Sequence, residues 1–245
     1  MAKQSILITG ASRGIGAACA RLFAEEGWAV AVNYHRSERE ALALCAELER
    51  KGCTVLPVKA DVSNPQDVQR MVDIVLDNFC QLDTLLCNAG IGHAGLFSDL
   101  SYEDWRSLFA VNVDGAYHCI QAALPHFLSR KQGSVLLVSS MWGLVGGSCE
   151  VAYSSTKAAL IGLCKALAKE LGPSNIRVNC IAPGLIDTDM NGNLTQEDRD
   201  SLCEETPLGC VGTPRNVADC ALFLASDRAS FFTGQVLSPN GGFVI

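Results

Sequence analysis

SILITGASRGIG, residues 5–16, decides the reading of the fold. Its first part, Ser5–Thr9, is a short apolar run without alternation, which fits a strand buried on both faces in a parallel sheet. Gly10, Gly14 and Gly16 follow in a GxxxGxG pattern, and GAACARLFAEEG then takes up a helical period. A strand, a glycine turn and a helix bring backbone N–H groups and a positive helix end to one place, where a pyrophosphate can sit. The spacing is not the GxGxxG of the usual fingerprint, and loops use glycine for turning alone. Placement between strand and helix favours the nucleotide reading. Ser12, Arg13 and Ile15 belong to the same candidate loop.

The pattern repeats outward along the chain. WAVAVNY (28–34), TVLPVKA (54–60), LDTLLCNAG (82–90), GSVLLVSS (133–140), NIRVNCIAPG (175–184) and GQVLSPNGG (234–242) are further strand candidates with helical stretches between them. NPQDVQRMVDIVLDNF reads as a helix capped by Asn64 with Pro65 at its first position. The expected architecture is α/β: a Rossmann-type, doubly wound parallel sheet of about seven strands with helices on both faces, in one domain over residues 1–245. Ligands of such sheets bind beyond the carboxyl ends of the strands. The small and polar residues ending each run are therefore the candidate site.

A net charge of −7 and no basic run longer than Arg130-Lys131 argue against a nucleic-acid partner. No uncharged apolar stretch approaches the ~20 residues that cross a bilayer, and the N-terminus lacks a signal-peptide pattern, so no membrane association and a cytoplasmic location are expected. The 12 cysteines form no CxxC pair, and Cys87, Cys119, Cys164 and Cys180 lie in apolar runs. They read as small buried thiols rather than disulfides. Histidines are scarce and are not spaced with them as ligands, so no metal site is expected.

In AYSSTKAALIGLCKALAKEL (152–171), Tyr153 and Lys157 stand four apart on one helical face. The pair alone is weak evidence. The preceding strand, however, ends in Ser139-Ser140, and the glycine-rich MWGLVGGSCEVA lets the helix start fold over that end. A free tyrosine, with a pKa near 10, is a poor acid at neutral pH, and a neighbouring ammonium is expected to lower it. Ser140 would hydrogen-bond a substrate oxygen, while Ser139 is read as structural.

Together these motifs resemble the short-chain dehydrogenase/reductase family from Ser5 to the C-terminus. TGASRGIG is similar to its cofactor motif, NAG (88–90) to its sheet motif and Tyr153-Ser-Ser-Thr-Lys157 to its YxxxK, with PG at 183–184 and NGG at 240–242 in place. The 13-residue step from Ser140 to Tyr153 also matches. The resemblance implies a nicotinamide-dependent oxidoreductase in which Asn112, Ser140, Tyr153 and Lys157 are catalytic. Asn112 would order a water linking Lys157 to solvent, and Lys157 would hold the nicotinamide ribose. Asp61 and Val62 would meet the adenine, and Asn88, Ala89 and Gly90 would lie along the ribose. Pro183, Gly184 and the Ile186 backbone would cover the nicotinamide, and Thr188 the pyrophosphate. Cys87 replaces a second Asn found in many members, which is read as a packing variation.

The second strand ends without an acid: Tyr34, His35 and Arg36 precede Glu38. An acid there would bind a ribose diol and repel a 2′-phosphate. Arg13 and Arg36 can instead pair with that phosphate, or be solvated surface arginines. NADP(H) is expected over NAD(H).

Within the family, GLIDTDM, TGQVLSPNGG and the absence of extensions are most similar to 3-oxoacyl-acyl-carrier-protein reductases. That implies a 3-oxoacyl thioester substrate, fatty acid biosynthesis, an acyl-carrier-protein partner and a homotetramer, to which the apolar ending NGGFVI would contribute. Arg130-Lys131 is a candidate docking patch, or a helix terminus complementing its dipole. Ser174 stands where such reductases often carry a second basic residue. Glu150 replaces a common Gln near the substrate mouth, and Trp142 narrows the pocket or simply packs. The alternatives are a sugar, polyol or steroid alcohol dehydrogenase and a non-catalytic nucleotide sensor; the intact catalytic set argues against the latter. The acidic stretch Thr195–Glu205 is expected to be a mobile lid, or a solvated surface helix.

Overall fold

The computed structural model describes residues 3–192 and 195–245. The first two residues of the expected 1–245 domain, and residues 193–194, lie outside the described residues. Seven strands form one parallel sheet: β1 (Ser5–Ile8), β2 (Ala29–Tyr34), β3 (Val55–Lys59), β4 (Thr84–Cys87), β5 (Gly133–Val138), β6 (Ile176–Ile181) and β7 (Val236–Leu237), in the order β3-β2-β1-β4-β5-β6-β7. The chain builds outward from β1 to β3, then returns to lay β4 on the other side of β1. That reversal opens the crevice in which such sheets bind ligands. β3 is an edge strand, so Pro57 costs no ladder bond on its free side.

Helices cover both faces. α1 (Gly14–Glu25), α2 (Glu38–Arg50) and α9 (Pro214–Ala225) pack on one core, with Phe23, Leu22, Ile6 and Ile8 sealed inside it. α3 (Pro65–Phe79), α5 (Gly115–Arg130) and α7 (Val151–Leu171) pack on the other, around Met71, Leu85, Phe127 and Leu137. Side chains alternate between these cores along each strand, so the runs are largely apolar on both faces. The Asn64 side chain accepts from the N–H groups of Gln66 and Asp67, as a cap before Pro65 should.

Three elements differ from the expectation. GQVLSPNGG contributes only two residues of strand, because Pro239 cannot donate to a ladder. The glycine-rich stretch after Ser140 contains a short helix, α6 (Trp142–Val145). Between α4 (Tyr102–Phe109) and α5 the chain widens into a π-helical turn, Ala110–Asp114, with Asn112 at its centre. The acidic stretch forms α8 (Gln196–Glu205), opened by a reciprocal Thr195–Asp198 capping box and burying none of its residues. All 12 cysteines are free thiols. Among the described residues no helix is long and apolar enough to cross a membrane.

Candidate active site

The glycine loop leaves β1 under tight steric control. Gly10 has φ +62°, and a Cβ there would stand 2.8 Å from Ala89 Cα. A Cβ on Gly16 would stand 2.7 Å from Asn88 Nδ2 and run into the Gly10 carbonyl. Polar bonds hold the loop from two sides. Gly10 N–H donates to Asn33 Oδ1 (3.1 Å) and Ala11 N–H to the Asn33 carbonyl (2.8 Å). Asn88 Nδ2 donates to the carbonyls of Thr9 (2.9 Å) and Gly10 (3.1 Å), and Thr9 Oγ1 accepts from the N–H groups of Asn88 and Ala89. Arg13 is the N-cap of α1 and makes no side-chain cap. The first-turn amides of α1 have no intrahelical acceptor, which is the chemistry a pyrophosphate needs. Thr188 roofs this turn, its Cγ2 3.5 Å from where a Gly14 Cβ would be. Ile15 turns its side chain to the core, and Ser12 is half-buried in the loop. A cradle that any side chain would fill, beside open helix amides, fits a dinucleotide phosphate.

Beyond β2 the residues divide. The Tyr34 ring is buried in the α1/α2 core and its hydroxyl donates to Glu38, so only its backbone is left to face the crevice. Glu38 is also bonded to Lys59. His35 stands 3.7 Å from the Asp61 carboxylate, and Arg36 is exposed without an ion pair among the described residues. Burial pushes the Asp61 carboxyl up, but bonds from Ser63 and the nearby His35 and Arg36 hold it below the ordinary range. Val62 is buried against Gly115 of α5, and its carbonyl is bonded to His118.

The catalytic candidates converge at the ends of β4 and β5. Ser140 is buried at the end of β5, its Oγ accepting from Trp142 N–H at 3.2 Å. Lys157 is buried one helical turn after Tyr153, with Nζ 2.8 Å from the Val138 carbonyl and 5.5 Å from the Tyr153 ring centroid. A Cβ on Gly90 would meet Lys157 Nζ at 3.3 Å and Asn112 Oδ1 at 3.2 Å, so these two groups stand beside the same strand end. Ser139 Oγ donates to the Lys157 carbonyl at 2.7 Å, a structural task as expected.

Electrostatics depart from the simplest expectation. Burial pushes the Tyr153 phenol up to about 12; Ser140 pulls it down and Glu150 pushes it further up. Burial brings Lys157 down to about 8. The expected low tyrosine pKa is thus not produced by the protein's groups alone, because loss of water around the phenol outweighs its partners. The Asn112 side chain has three protein partners. Its Oδ1 accepts from Ile91 N–H (2.8 Å), and its Nδ2 donates to the Ile91 carbonyl and to Thr156 Oγ1 (3.0 Å each). These bonds tie the β4 end to α7.

Glu150, at the N-cap of α7, is half-buried and uses its side chain for no cap. Burial raises its carboxyl, against a lowering from the Trp142 indole. Trp142 packs edge-on to Phe243 of the C-terminal tail, with ring centroids 5.7 Å apart. After β6, the Pro183 carbonyl accepts from Met141 N–H, and Gly184 fits against Asn240, where a Cβ would stand 2.7 Å from Asn240 Cα. Ile186 is buried, and among the described residues its N–H has no acceptor, which suits a carboxamide oxygen. Arg199 clips α8 to Asp187 at 3.0 Å.

Arg130 does not serve the mouth of its own chain. It pairs with Asp83 at 3.0 Å and donates to the Leu82 carbonyl at 3.0 Å, at the amino ends of the strands and therefore at the opposite pole from Tyr153.

The family model described as Enoyl-(Acyl carrier protein) reductase matches residues 10–244. The 3-oxoacyl-[acyl-carrier-protein] reductase FabG of Staphylococcus aureus is 39% identical over 239 residues, 98% of this chain and 97% of that protein. Its namesake from Chlamydia trachomatis is 39% identical over 242 residues, 99% of this chain and 98% of that one. The chain belongs to the short-chain dehydrogenase/reductase family.

A crystal structure of a 3-oxoacyl-[acyl-carrier protein] reductase from Brucella melitensis superposes with a TM-score of 0.93 at 34% identity, covering 100% of this chain and 93% of that one. As a short-chain dehydrogenase/reductase, the protein is an oxidoreductase of carbonyl and hydroxyl groups that uses a nicotinamide cofactor. Two residues important to its site escaped the sequence reading. Asn33, near the end of β2, carries the glycine loop. Thr156, inside the YxxxK motif, joins Asn112 to the Tyr153 carbonyl. Nothing in a single sequence marks a buried amide's partners.

Proposed function

We propose that this short-chain dehydrogenase/reductase is an NADPH-dependent 3-oxoacyl thioester reductase, taking its substrate from an acyl carrier protein in fatty acid biosynthesis. The observation that carries the reading is the pair of hydroxyls, Ser140 and Tyr153, set at the β5 end beside Lys157. Two hydroxyl donors on one side suit a carbonyl oxygen, the atom that gains charge when a ketone is reduced. When bound, the nicotinamide supplies the hydride to the carbonyl carbon. Ser140 hydrogen-bonds the carbonyl oxygen, and Tyr153 delivers its phenolic proton to it. Lys157, brought near pH 8, holds an exchangeable proton behind Tyr153. Asn112 and Thr156 fix the turn of α7 that carries both.

NADP(H) over NAD(H) rests on the end of β2, where Asn33 is tied to the glycine loop, Glu38 to Lys59, and Arg36 is free to meet a 2′-phosphate. The remaining cofactor contacts are proposed for Gly10, Ser12, Arg13, Gly14, Ile15, Gly16, Asp61, Ala89, Gly90, Ile186 and Thr188. Relatives named as acyl-carrier-protein reductases support the carrier, and fully exposed Phe231 and Ile245 support burial in a homotetramer. A cytoplasmic location follows from the same role.

The test is NADPH oxidation with acetoacetyl thioesters, set against NAD(P)+ reduction with sugar, polyol and steroid alcohols. Thioester turnover is expected to dominate. Strong alcohol oxidation without thioester turnover would sink the proposal.

A further inference from the structure

The amino ends of the strands hold a second cavity, at the opposite pole from Tyr153. Its volume is about 170 Å³, and Trp28, Thr84, Ser134, Arg177, Ala225 and Asp227 are among the residues that line it. Strand register builds one wall. Thr84 pairs with Ser134 across β4 and β5, and Ser134 pairs with Arg177 across β5 and β6. Register partners in a parallel sheet share a face, so three polar side chains form a row, about 4.8 Å from strand to strand. Ile6 extends the row beyond Thr84 and belongs to the core under α1 and α9, which fixes the face.

The row is short of partners. Thr84 and Ser134 are 1% and 3% exposed, and neither hydroxyl has a hydrogen-bond partner. Arg177 is half-buried, and its guanidinium donates to the carbonyls of Ala225 (3.3 Å) and Phe232 (3.5 Å). Among the described residues no carboxylate stands within 4 Å of it. Two carboxylates line the cavity. Asp83 is matched by Arg130 at 3.0 Å and accepts from Ser5 N–H at 2.8 Å, while Asp227 is exposed. Burial holds the Arg177 guanidinium below its ordinary range, although Asp227 favours its charge.

We propose that this cavity binds a small oxyanion, a carboxylate or a phosphate, held by Arg177 with Ser134 and Thr84 as hydroxyl donors. A guanidinium meets two oxygens of either group through parallel hydrogen bonds. The two hydroxyls have protons to donate, and an acceptor between the strands recovers the cost of leaving them unpaired. Water also fits a polar cavity of this size, but it leaves the cation without a counter-charge. Ser134 stands at the amino end of β5 and Ser140 beyond its carboxyl end, so the ligand is neither the substrate nor the cofactor of the reaction. The inference is independent of the thioester reading.

The experiment follows Tm of the enzyme saturated with NADP+, which occupies the glycine loop, the other place where an oxyanion can sit. Inorganic phosphate and acetate are titrated separately against chloride at equal ionic strength. The native protein should show a saturable rise, about 3–6 °C at ten times Kd. The double variant Thr84→Val/Ser134→Ala keeps the volume of the row and removes its hydroxyls, and Arg177→Gln removes the charge. Each should need at least about 10-fold more anion for the same rise, the loss of a charge-assisted hydrogen bond. If Arg177→Gln does not fold, the double variant decides. A response to acetate alone assigns a carboxylate, and a response to phosphate alone assigns a phosphate; either supports the site. No saturable rise with either anion means that water alone fills the cavity, and overturns the proposal. An equal rise in native protein and variants is general salting-out or binding elsewhere, and overturns it too.

Discussion

The Lys157 ammonium lies over the Tyr153 ring, 5.5 Å from its centroid, with one N–H bonded to the Val138 carbonyl at 2.8 Å. A buried charge beside a half-buried phenol makes α7 both a packing element and the proposed acid of the reaction. Tyr153→Phe removes the transferable proton and little volume. It should lower kcat by about 10²–10⁴-fold, the usual share of general acid catalysis, while NADPH binding by fluorescence titration stays unchanged. Retained turnover would show that the proton comes from elsewhere.

Lys157 also sets a pH dependence of stability. Its pKa falls from 10.5 in the unfolded chain to about 8 in the folded one, so the folded state binds its proton less readily. The resulting penalty on folding is complete below pH 8 and fades as the pH rises from 8 to 10.5. Lys157→Met should therefore abolish turnover yet stabilise the protein at pH 7, on the order of 2 kcal/mol after the Val138 carbonyl loses its donor. Urea titrations at pH 7 and pH 10 should show that gain shrinking. An equal gain at both pH values would contradict the buried charge.

Arg36 is the exposed cation at the end of β2. Arg36→Asp should raise KM for NADPH by 10-fold or more, roughly the 1.5–3 kcal/mol of a charge-assisted hydrogen bond, and lower KM for NADH. Steady-state kinetics with both cofactors decide this. An unchanged preference would move the selectivity to Arg13.

Thr84 Oγ1 and Ser134 Oγ are buried without a hydrogen-bond partner, on neighbouring positions of β4 and β5. An unpaired buried hydroxyl costs free energy that an isosteric methyl does not. Thr84→Val should stabilise the fold by about 1 kcal/mol, read as a higher urea midpoint at constant m-value. A lower midpoint would show that the hydroxyl is satisfied in solution.

What the sequence made legible follows distance along the chain. The β1–α1 unit, the Asn64 cap and the Tyr153–Lys157 face are local, set by periods of two to four residues, and they stand where the pattern put them. Alternation along β2 also accounts for the buried side chain of Tyr34. The Arg130–Asp83 pair left no local trace because its members lie 47 residues apart. The role of Asn112 required both the π-helical turn and the loop after β4, neither of which leaves a periodic trace.

The glycine loop is held by Asn33, Asn88 and Thr9 through the protein's own bonds. Its shape is therefore fixed before any nucleotide arrives, and binding need not pay the ordering entropy of a floppy phosphate loop. Affinity for the cofactor is then governed by how many groups touch it. Amide exchange at Thr9, Gly10 and Ala11, whose N–H groups are already bonded, should be slow in the free enzyme, while the open amides of Gly14, Ile15 and Gly16 should slow only when cofactor binds.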